Sequence, residues 1–319
     1  MAVRKLFAVV ALGACAVDSP AIDASAATAG AAGQAPVPPR DVLRTGAFTH
    51  RDVRESSAAV RSATREGLFW TLNDSGNDAR LFAFTLTGRD LGAVRLRGVA
   101  NRDWEAMATG PCAEGACLYV GEIGDNAARH ATVTIWRVPE PVPPGAGRTV
   151  ELAPAARLVL RYPEGPRDAE AMWVDADTAI WIATKRRLRG PGGRDRPSLV
   201  YRAPASAWRV TSNDGAQLTL VDSLPIVPGG RRRTLVTDAS LSDPFGTGAL
   251  PAQLAVRTYE LVYIFDVERR SGRPGTLRAQ CDVRPLREPQ GEGITWLPDG
   301  RLLLTTERRF APLHTLRCP

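Results

Sequence analysis

Three stretches of the 319-residue chain place a glutamate at the entrance of a short apolar run. They are NRDWEAMATG (101–110) with Glu105, PRDAEAMWVD (166–175) with Glu170, and QGEGITWLPD (290–299) with Glu292. Carboxylates that lie close together repel, so they must take up protons, pair with bases or bind a cation. Oxygen ligands without histidine or cysteine suit calcium, which accepts flexible coordination by carboxylates and amides. The recurrence predicts a repeated unit that brings these glutamates together.

Two weaker copies extend the repeat: VRESSAAVRS carries Glu55 and VTDASLSDPF carries Asp238. Each acidic position is followed by segments rich in β-branched and aromatic residues, such as LFWTLND, LYVGEIGDN and IWIATKRR, which are typical of strands. An acidic position at intervals of about 50 to 70 residues, with about four strands per unit, predicts an all-β fold. We interpret it as a single β-propeller with four-stranded antiparallel blades. Five blades fit the count, and the two longer intervals leave six blades as the alternative.

The two ends of the chain are expected to close the ring. The last unit contains only about two strand-like segments before the chain ends at Pro319. DVLRTGAFTH (41–50) can supply its outer strand, as the N-terminal segment of a propeller often does. The propeller domain is therefore predicted to span 40–319.

Residues 1–15 have the composition of a secretory signal peptide. Basic MAVRK precedes LFAVVALGA, an apolar run too short to span a bilayer. LGAC, ending at Cys15, resembles the bacterial lipobox, in which the cysteine is lipidated; the alternative is a plain signal peptide cut near ASA (24–26). Residues 16–39 are rich in Ala, Gly, Ser and Pro and are predicted to form a flexible tether. These features predict an exported cell-envelope lipoprotein, or a periplasmic or secreted protein under the alternative.

The other cysteines support export. Cys112, Cys117, Cys281 and Cys318 form an even set, which predicts disulfides in an oxidising compartment. CAEGAC places the first two across a tight turn, which leaves Cys281 for Cys318. The alternative is two reduced thiol pairs or a metal site, but a chain with only three histidines is a poor candidate for a zinc cluster.

Six motifs together carry a family resemblance: NDSGN, DWEAMA, GEIGDN, YPEGPRDAEAM, AVRTYE and QGEGITW. Over most of residues 50–309 the chain resembles a group of largely uncharacterised secreted bacterial β-propeller proteins and lipoproteins, distantly similar to the propeller phytases and their esterase-like relatives. The resemblance implies a propeller architecture. Its relatives include calcium-dependent phosphohydrolases as well as proteins with no assigned reaction, so it leaves the activity open.

In such a blade the start of the first strand and the end of the second lie at the same face of the ring. The predicted metal ligands on this face are Asp74, Asp103, Glu105, Asp125, Glu170 and Glu292. Lys185 and Arg257 are predicted to bind an anionic substrate. The same face is expected to carry Asn73, Glu122, Asn126, Asp168 and Glu307. NDSGND and GDN have the oxygen-rich, glycine-containing character of calcium loops, and the alternative is a ring of salt bridges with Lys185, Arg129, Arg257 and Arg308.

Two functions are compatible with these residues. The first is an exported binding module whose acidic central face binds Ca²⁺. The alternative is a calcium-dependent hydrolase of phosphate- or ester-containing substrates, in which Glu105 or Glu170 positions water. The chain contains no GxSxG motif, no metal-binding histidine pair and no glycine-rich phosphate loop.

Charge and export define the expected partners. The net charge of +7 arises from 39 arginines and two lysines, with basic stretches at 185–196 and 229–233 that are expected to be solvated loops. The expected partners are a membrane, through the lipid anchor, and a cell-surface protein, a glycan or an anionic small molecule. Export argues against nucleic acid, and a monomer is expected.

Overall fold

The computed structural model describes residues 35–185, 188–189, 195–227, 234–269 and 271–319. Regular structure in these residues is β-strand, apart from short 3-10 turns at Ala205–Arg209 and Arg284–Leu286. Five antiparallel sheets form the blades of a ring, so the protein is a five-bladed β-propeller. The five-bladed interpretation is confirmed. The basic stretches of the sequence lie largely outside the described residues.

The strands are numbered in chain order, beginning with β1 (Arg40–Ala47). Blade 1 contains β2 (Ser56–Arg61), β3 (Leu68–Asn73), β4 (Arg80–Thr85) and β5 (Asp90–Leu96). Blade 2 contains β6 (Trp104–Cys112), β7 (Gly115–Glu122), β8 (Val133–Pro139) and β10 (Ala156–Arg161). Blade 3 contains β11 (Ala169–Val174), β12 (Ile180–Thr184), β15 (Ser198–Ala203) and β17 (Thr219–Leu224).

Blade 4 contains β18 (Val236–Leu241), β19 (Gln253–Thr258), β20 (Leu261–Val267) and β21 (Pro274–Asp282). Blade 5 contains β22 (Gly291–Trp296), β23 (Leu302–Thr306), β24 (Pro312–Arg317) and, as its outer strand, β1. The short strands are β9 (Thr149–Leu152), β13 (Leu188–Arg189), β14 (Asp195–Arg196) and β16 (Ala216–Gln217). In each blade the first strand named is the inner strand and the last is the outer strand.

The N-terminal strand closes the ring, as predicted. β1 pairs antiparallel with β24, and Oγ1 of Thr45 donates to the carbonyl oxygen of Leu313 at 3.4 Å. The last unit nevertheless has three strands of its own, one more than the sequence predicted. The strand that was missed, β24, has the sequence PLHTLR, whose His, Thr and Arg interrupt the apolar pattern.

Three blades have their outer edge covered by chain that belongs to the next blade. β9 pairs in parallel with β5, and β16 pairs in parallel with β10, so blades 1 and 2 have five strands instead of the expected four. On blade 4, the N–H of Val37 donates to the carbonyl of Gln280 at 2.8 Å, and the N–H of Asp282 donates to the carbonyl of Val37 at 3.0 Å. The expected tether therefore joins the fold before Pro39, because Val37 satisfies backbone groups of an edge strand.

The core lies between the blades. The fully buried side chains include Trp70, Trp104, Trp173 and Trp181, and the last two stack with ring centroids 5.8 Å apart. Every residue of β11 is buried, as expected for a strand covered on both faces. This packing fixes the inner strands, whose first residues form the site.

Both predicted disulfides are confirmed. Cys112 pairs with Cys117 across the β6–β7 turn, and Cys281 of blade 4 pairs with Cys318 at the end of blade 5. Disulfides are typical of proteins in oxidising, exported environments. Within the ranges that the structure describes, no helix has the length and apolar character needed to cross a membrane.

The Cys281–Cys318 disulfide is expected to stabilise the ring closure. It spans 37 residues, so replacing both cysteines by serine should lower the free energy of unfolding by about 3 to 4 kcal/mol, because the unfolded chain regains the entropy of the open loop. The matched control is Cys112→Ser with Cys117→Ser, whose span of 5 residues gives about 2 kcal/mol. Urea unfolding measures both values. Equal losses for the two pairs would contradict the loop-length explanation.

Candidate functional site

The inner strand of every blade begins with a β-bulge. In blade 2, Trp104 pairs with Glu122 and Ala106 pairs with Gly121, so Glu105 is the extra residue. A shift of one residue also occurs at the start of the other four inner strands, and in blade 5 it spans Glu292 and Gly293. The residues at the bulge, which we call the bulge ring, are Ser57, Glu105, Glu170, Thr237 and Glu292. A bulge redirects its side chain, and here it does so at the same place five times.

The bulge ring explains the sequence repeat and corrects two of its members. Glu105, Glu170 and Glu292 occupy equivalent positions, as the three strong motifs indicated. Glu55 and Asp238 do not, because Ser57 and Thr237 are the bulged residues of their blades. Asp238 instead lies buried below the bulge, where its Oδ2 accepts the N–H of Ile294 at 2.8 Å.

A second ring follows the second strand of each blade. We call it the mouth ring, and its members are Asp74, Gly124, Lys185, Tyr259 and Glu307. In four blades its backbone N–H donates to the carbonyl of a residue just before the inner strand; these bonds join Asp74 to Glu55, Gly124 to Asp103, Lys185 to Asp168 and Glu307 to Gln290. The mouth ring is therefore held by backbone bonds at the same end of the fold as the bulges.

The two rings enclose a cavity of about 200 Å³. Its lining is mainly charged and polar, and consists of Asp74, Glu105, Asn126, Glu170, Lys185, Leu235, Tyr259, Gln290, Glu292 and Glu307. Four of the six predicted metal ligands, and Lys185, thus line this cavity. Tyr259 and Gln290 were not predicted from the sequence, although Tyr259 lies in the quoted AVRTYE motif.

Three carboxylates form a compact cluster on one side of the cavity. Oxygens of Asp74, Asp103 and Glu105 lie within 4.8 Å of one another. Gly124 makes this approach possible, since a Cβ there would lie 2.6 Å from Cγ of Asp103. Oγ of Ser57 donates to Oε2 of Glu105 at 2.7 Å and fixes the direction of that carboxylate. The cluster presents several oxygens to one point, which is the arrangement that a hard cation requires.

Burial raises the pKa values of this face. Burial, followed by the charges of Asp74 and Asp168, raises the pKa of Asp103 to about 6. Burial and the charge of Asp74 also raise the pKa of Glu105 well above its usual value, although the Lys185 ammonium opposes this. On this side of the cavity the carboxylates therefore outnumber the basic groups that could neutralise them.

The carboxylates of blade 5 show the same imbalance. Burial raises the pKa of Glu292 to about 8 against the opposing charge of Lys185, and burial together with the charges of Asp74 and Glu55 raises the pKa of Glu307 to about 7. Nε2 of Gln290 donates to Oε1 of Glu292 at 2.9 Å. Some carboxyl groups of the cavity consequently hold protons near neutral pH.

The side chain of Lys185 extends from the mouth ring into the cavity. Its Nζ forms a buried ion pair with Oε1 of Glu170 and lies 5.4 Å from the centre of the Tyr259 ring. Two carboxylate oxygens beside it, Oε2 of Glu170 and Oε2 of Glu292, are buried and have no hydrogen-bond partner in the described part of the chain. A buried acceptor without a donor is costly, so these two oxygens are suited to bind a cation.

Asp125 lies beside the cluster, in the turn that follows Gly124. It accepts the backbone N–H of His130 at 2.7 Å, and its other oxygen lies 3.1 Å from Nδ1 of that histidine. Burial acts to raise the pKa of Asp125, but the N–H groups of Arg129 and His130 outweigh it and lower the pKa. Its carboxylate is thus engaged locally, and the backbone N–H of Asp125 donates to Oδ1 of Asp168 at 2.9 Å.

Arg257 lies between blades 4 and 5, where its side chain is fully buried and does not line the cavity. Nη1 donates to the carbonyls of Gly293 and Thr305 at 2.7 and 2.8 Å, and Nη2 forms an ion pair with Glu288. A Cβ at Gly291 would lie 2.2 Å from Nη2, so the glycine leaves room for the guanidinium. Arg257 therefore joins blades 4 and 5 and cannot contact a substrate in the cavity, contrary to the prediction from the sequence.

No family model matches the chain, and no curated protein matches its sequence. Solved structures match in overall arrangement. A glucose dehydrogenase is 11% identical with a TM-score of 0.46, covering 87% of this chain and 99% of that one. The soluble aldose sugar dehydrogenase of Escherichia coli is 10% identical with a TM-score of 0.45, covering 88% and 99%. The WD40 β-propeller domain of Doa1 is 9% identical with a TM-score of 0.40, covering 86% and 97%. Likeness at this level carries no argument about activity, substrate or cofactor.

Proposed function

We propose that this protein is an exported, membrane-anchored binding module whose acidic cavity binds Ca²⁺. The observation that carries the proposal is the pair of buried oxygens without a donor, Oε2 of Glu170 and Oε2 of Glu292. They line the same cavity as Asp74 and Glu105, which form a cluster with Asp103. An all-oxygen donor set of this kind fits calcium better than zinc or copper.

The residues that would hold calcium are those of the carboxylate cluster, together with Glu170 and Glu292, which line the same cavity. Bound calcium would neutralise the excess of carboxylates and present a positive charge at the mouth of the ring. A cell-surface protein, a glycan or an anionic small molecule would then bind through this charge and through the residues around the opening. Arg257 has no part in such binding, because it is buried between blades.

Calcium is expected to raise the melting temperature of the protein. A ligand selective for the folded state, at about 100 times its Kd, adds about 2.7 kcal/mol, which corresponds to an increase of about 5 °C for a domain of this size. Glu105→Gln should reduce this increase by at least half. The matched control is Glu66→Gln, an exposed glutamate in the β2–β3 turn, which should retain it. Differential scanning calorimetry in calcium and in chelator gives the comparison, and identical melting curves for the unaltered protein would contradict the proposal.

A calcium-dependent hydrolase of phosphate or ester substrates is the second candidate. One observation favours it: Glu307 and Asp103, with pKa values of about 7 and about 6, can exchange protons near neutral pH. Calcium would supply charge for an anionic substrate, while Lys185 would contact it. Release of phosphate or alcohol from a panel of esters, abolished by chelator and by Glu105→Gln, would favour this candidate over a binding module.

Anchoring is a separate part of the proposal, and Cys15 lies outside the described residues. If Cys15 is lipidated, Cys15→Ser should move most of the protein from the membrane fraction to the soluble fraction, since a diacyl anchor binds membranes far more firmly than one chain. Fractionation of cells followed by immunoblotting measures the partition. Unchanged partition would favour a plain cleaved signal peptide.

A further inference from the structure

The chain contains only two lysines, Lys5 and Lys185, against 39 arginines. Every other basic side chain that forms an ion pair in the described residues is an arginine or a histidine. The cavity therefore contains a lysine where the rest of the chain almost always uses arginine as its basic residue. An ammonium differs from a guanidinium in being a compact point charge on a flexible stem, which makes it the side chain most similar to a small metal ion.

Lys185 is attached to the fold by its backbone, while its charged end is held by the cavity alone. Its N–H donates to the carbonyl of Asp168 at 3.0 Å, directly after β12 ends at Thr184. Its side chain is 8% exposed, and Nζ contacts Glu170 and the face of Tyr259. The ammonium can thus leave Glu170 by rotating side-chain bonds, without any change in the strands.

The single ammonium of Lys185 does not neutralise the carboxylates that line the cavity. Glu105, Glu170, Glu292 and Glu307 all line it, and Glu105 and Glu292 both interact with the Lys185 charge. Oε2 of Glu170 lacks a hydrogen-bond donor among the described residues even though Oε1 is paired with Lys185. The position next to Glu170 therefore has the charge and the open acceptors that a second, divalent cation would use.

We propose that the Lys185 ammonium occupies the place of a second cation and competes with calcium for Glu170 and Glu292. This inference rests on the proposed calcium site. Calcium that binds Oε2 of Glu170 must displace the ammonium from Oε1, because two cations on one buried carboxylate repel. The lysine thereby weakens calcium binding, and calcium in turn releases a buried amine into the cavity.

Calorimetric titration of CaCl₂ into the demetallated full-length protein tests the competition. Lys185→Met removes the charge with little change in volume, and it should lower the Kd for calcium by about tenfold or add a second equivalent of bound calcium. Lys185→Arg, which keeps the charge, should stay within about threefold of the unaltered protein. Binding by Lys185→Met that equals or is weaker than that of the unaltered protein overturns the inference and leaves the calcium site intact. Absence of calcium binding by all three proteins overturns the calcium site and the inference together.

The unaltered protein provides a second measurement that does not depend on the folding of a variant. Acetylation of the Lys185 amine by acetic anhydride can be followed by mass spectrometry of its peptide. Calcium should increase the rate of acetylation at Lys185 several-fold relative to chelator, because it frees the amine from Glu170, whereas magnesium at the same concentration should have a smaller effect. A rate that calcium leaves unchanged or decreases overturns the displacement.

Discussion

Replacing Arg257 by methionine is expected to lower the free energy of unfolding by about 3 to 5 kcal/mol, because it removes the arginine partner of the buried Glu288 carboxylate. The side chains of Arg257 and Glu288 are 0% and 3% exposed. The guanidinium also joins blade 4 to two carbonyls of blade 5, on Gly293 and Thr305. Urea unfolding monitored by tryptophan fluorescence measures the loss.

Two variants show whether the loss comes from burial of the pair. Arg278→Met is the control, since Arg278 forms an exposed ion pair with Asp266 and should leave the urea midpoint unchanged. The double variant Arg257→Met with Glu288→Met should recover part of the stability, because no buried charge remains without a partner. His314, whose Nδ1 lies 3.2 Å from Glu288, limits this recovery. A double variant less stable than Arg257→Met would contradict the explanation.

Without calcium, the protein is expected to lose stability as the pH rises from about 4.5 to about 8. The pKa of Glu292 is raised from 4.5 to about 8 in the folded protein, mainly by burial. Within this interval the folded state retains a proton that the unfolded state has released, so the free energy of unfolding falls with rising pH. Glu307, with a raised pKa of about 7, contributes in the same direction. The total loss should reach a few kcal/mol and should level off above the pKa of Glu292.

Melting temperatures measured across this pH range in chelator test the expectation. Glu292→Gln should flatten the dependence, because the variant has no proton to release at this position, whereas Glu66→Gln should keep the full slope. Calcium should restore stability most at the high-pH end, where the carboxylates are ionised. Stability that increases between pH 4.5 and 8 in chelator would contradict the buried, protonated state of Glu292.

The repeat of the sequence predicted the fold because it follows a backbone feature. Glu105, Glu170 and Glu292 recur at one β-bulge, so their spacing reports the number of blades. The bulges of the other two blades hold Ser57 and Thr237, and a search for acidic residues passes over them. Hydroxyl residues in those places preserve the bulge and do not add charge.

The assignment of Arg257 shows where reasoning from sequence fails. Lys185 is the first residue after the second strand of its blade, and Tyr259 holds the equivalent place in blade 4. Arg257 lies two residues earlier, inside the ladder opposite Asp238. Lys185 and Tyr259 follow a strand end and reach the cavity, whereas Arg257 lies within the ladder and its side chain remains between blades 4 and 5. The bulge of blade 4 holds Thr237 and no glutamate, so the repeat does not mark where its ladder begins.

Because β1 belongs to blade 5, the ring can close only after the last strand of the chain has been synthesised. A chain is made from its N-terminus, so β1 emerges among the first residues and its partner β24 among the last. The bond between Thr45 and Leu313 spans 268 residues, and contacts of such separation form slowly. Throughout this delay β1 is a strand without a neighbour, able to pair with another chain. A chain that stops before Pro312 keeps β1 and β23 as open edges, and it is expected to associate with other chains instead of closing into a ring.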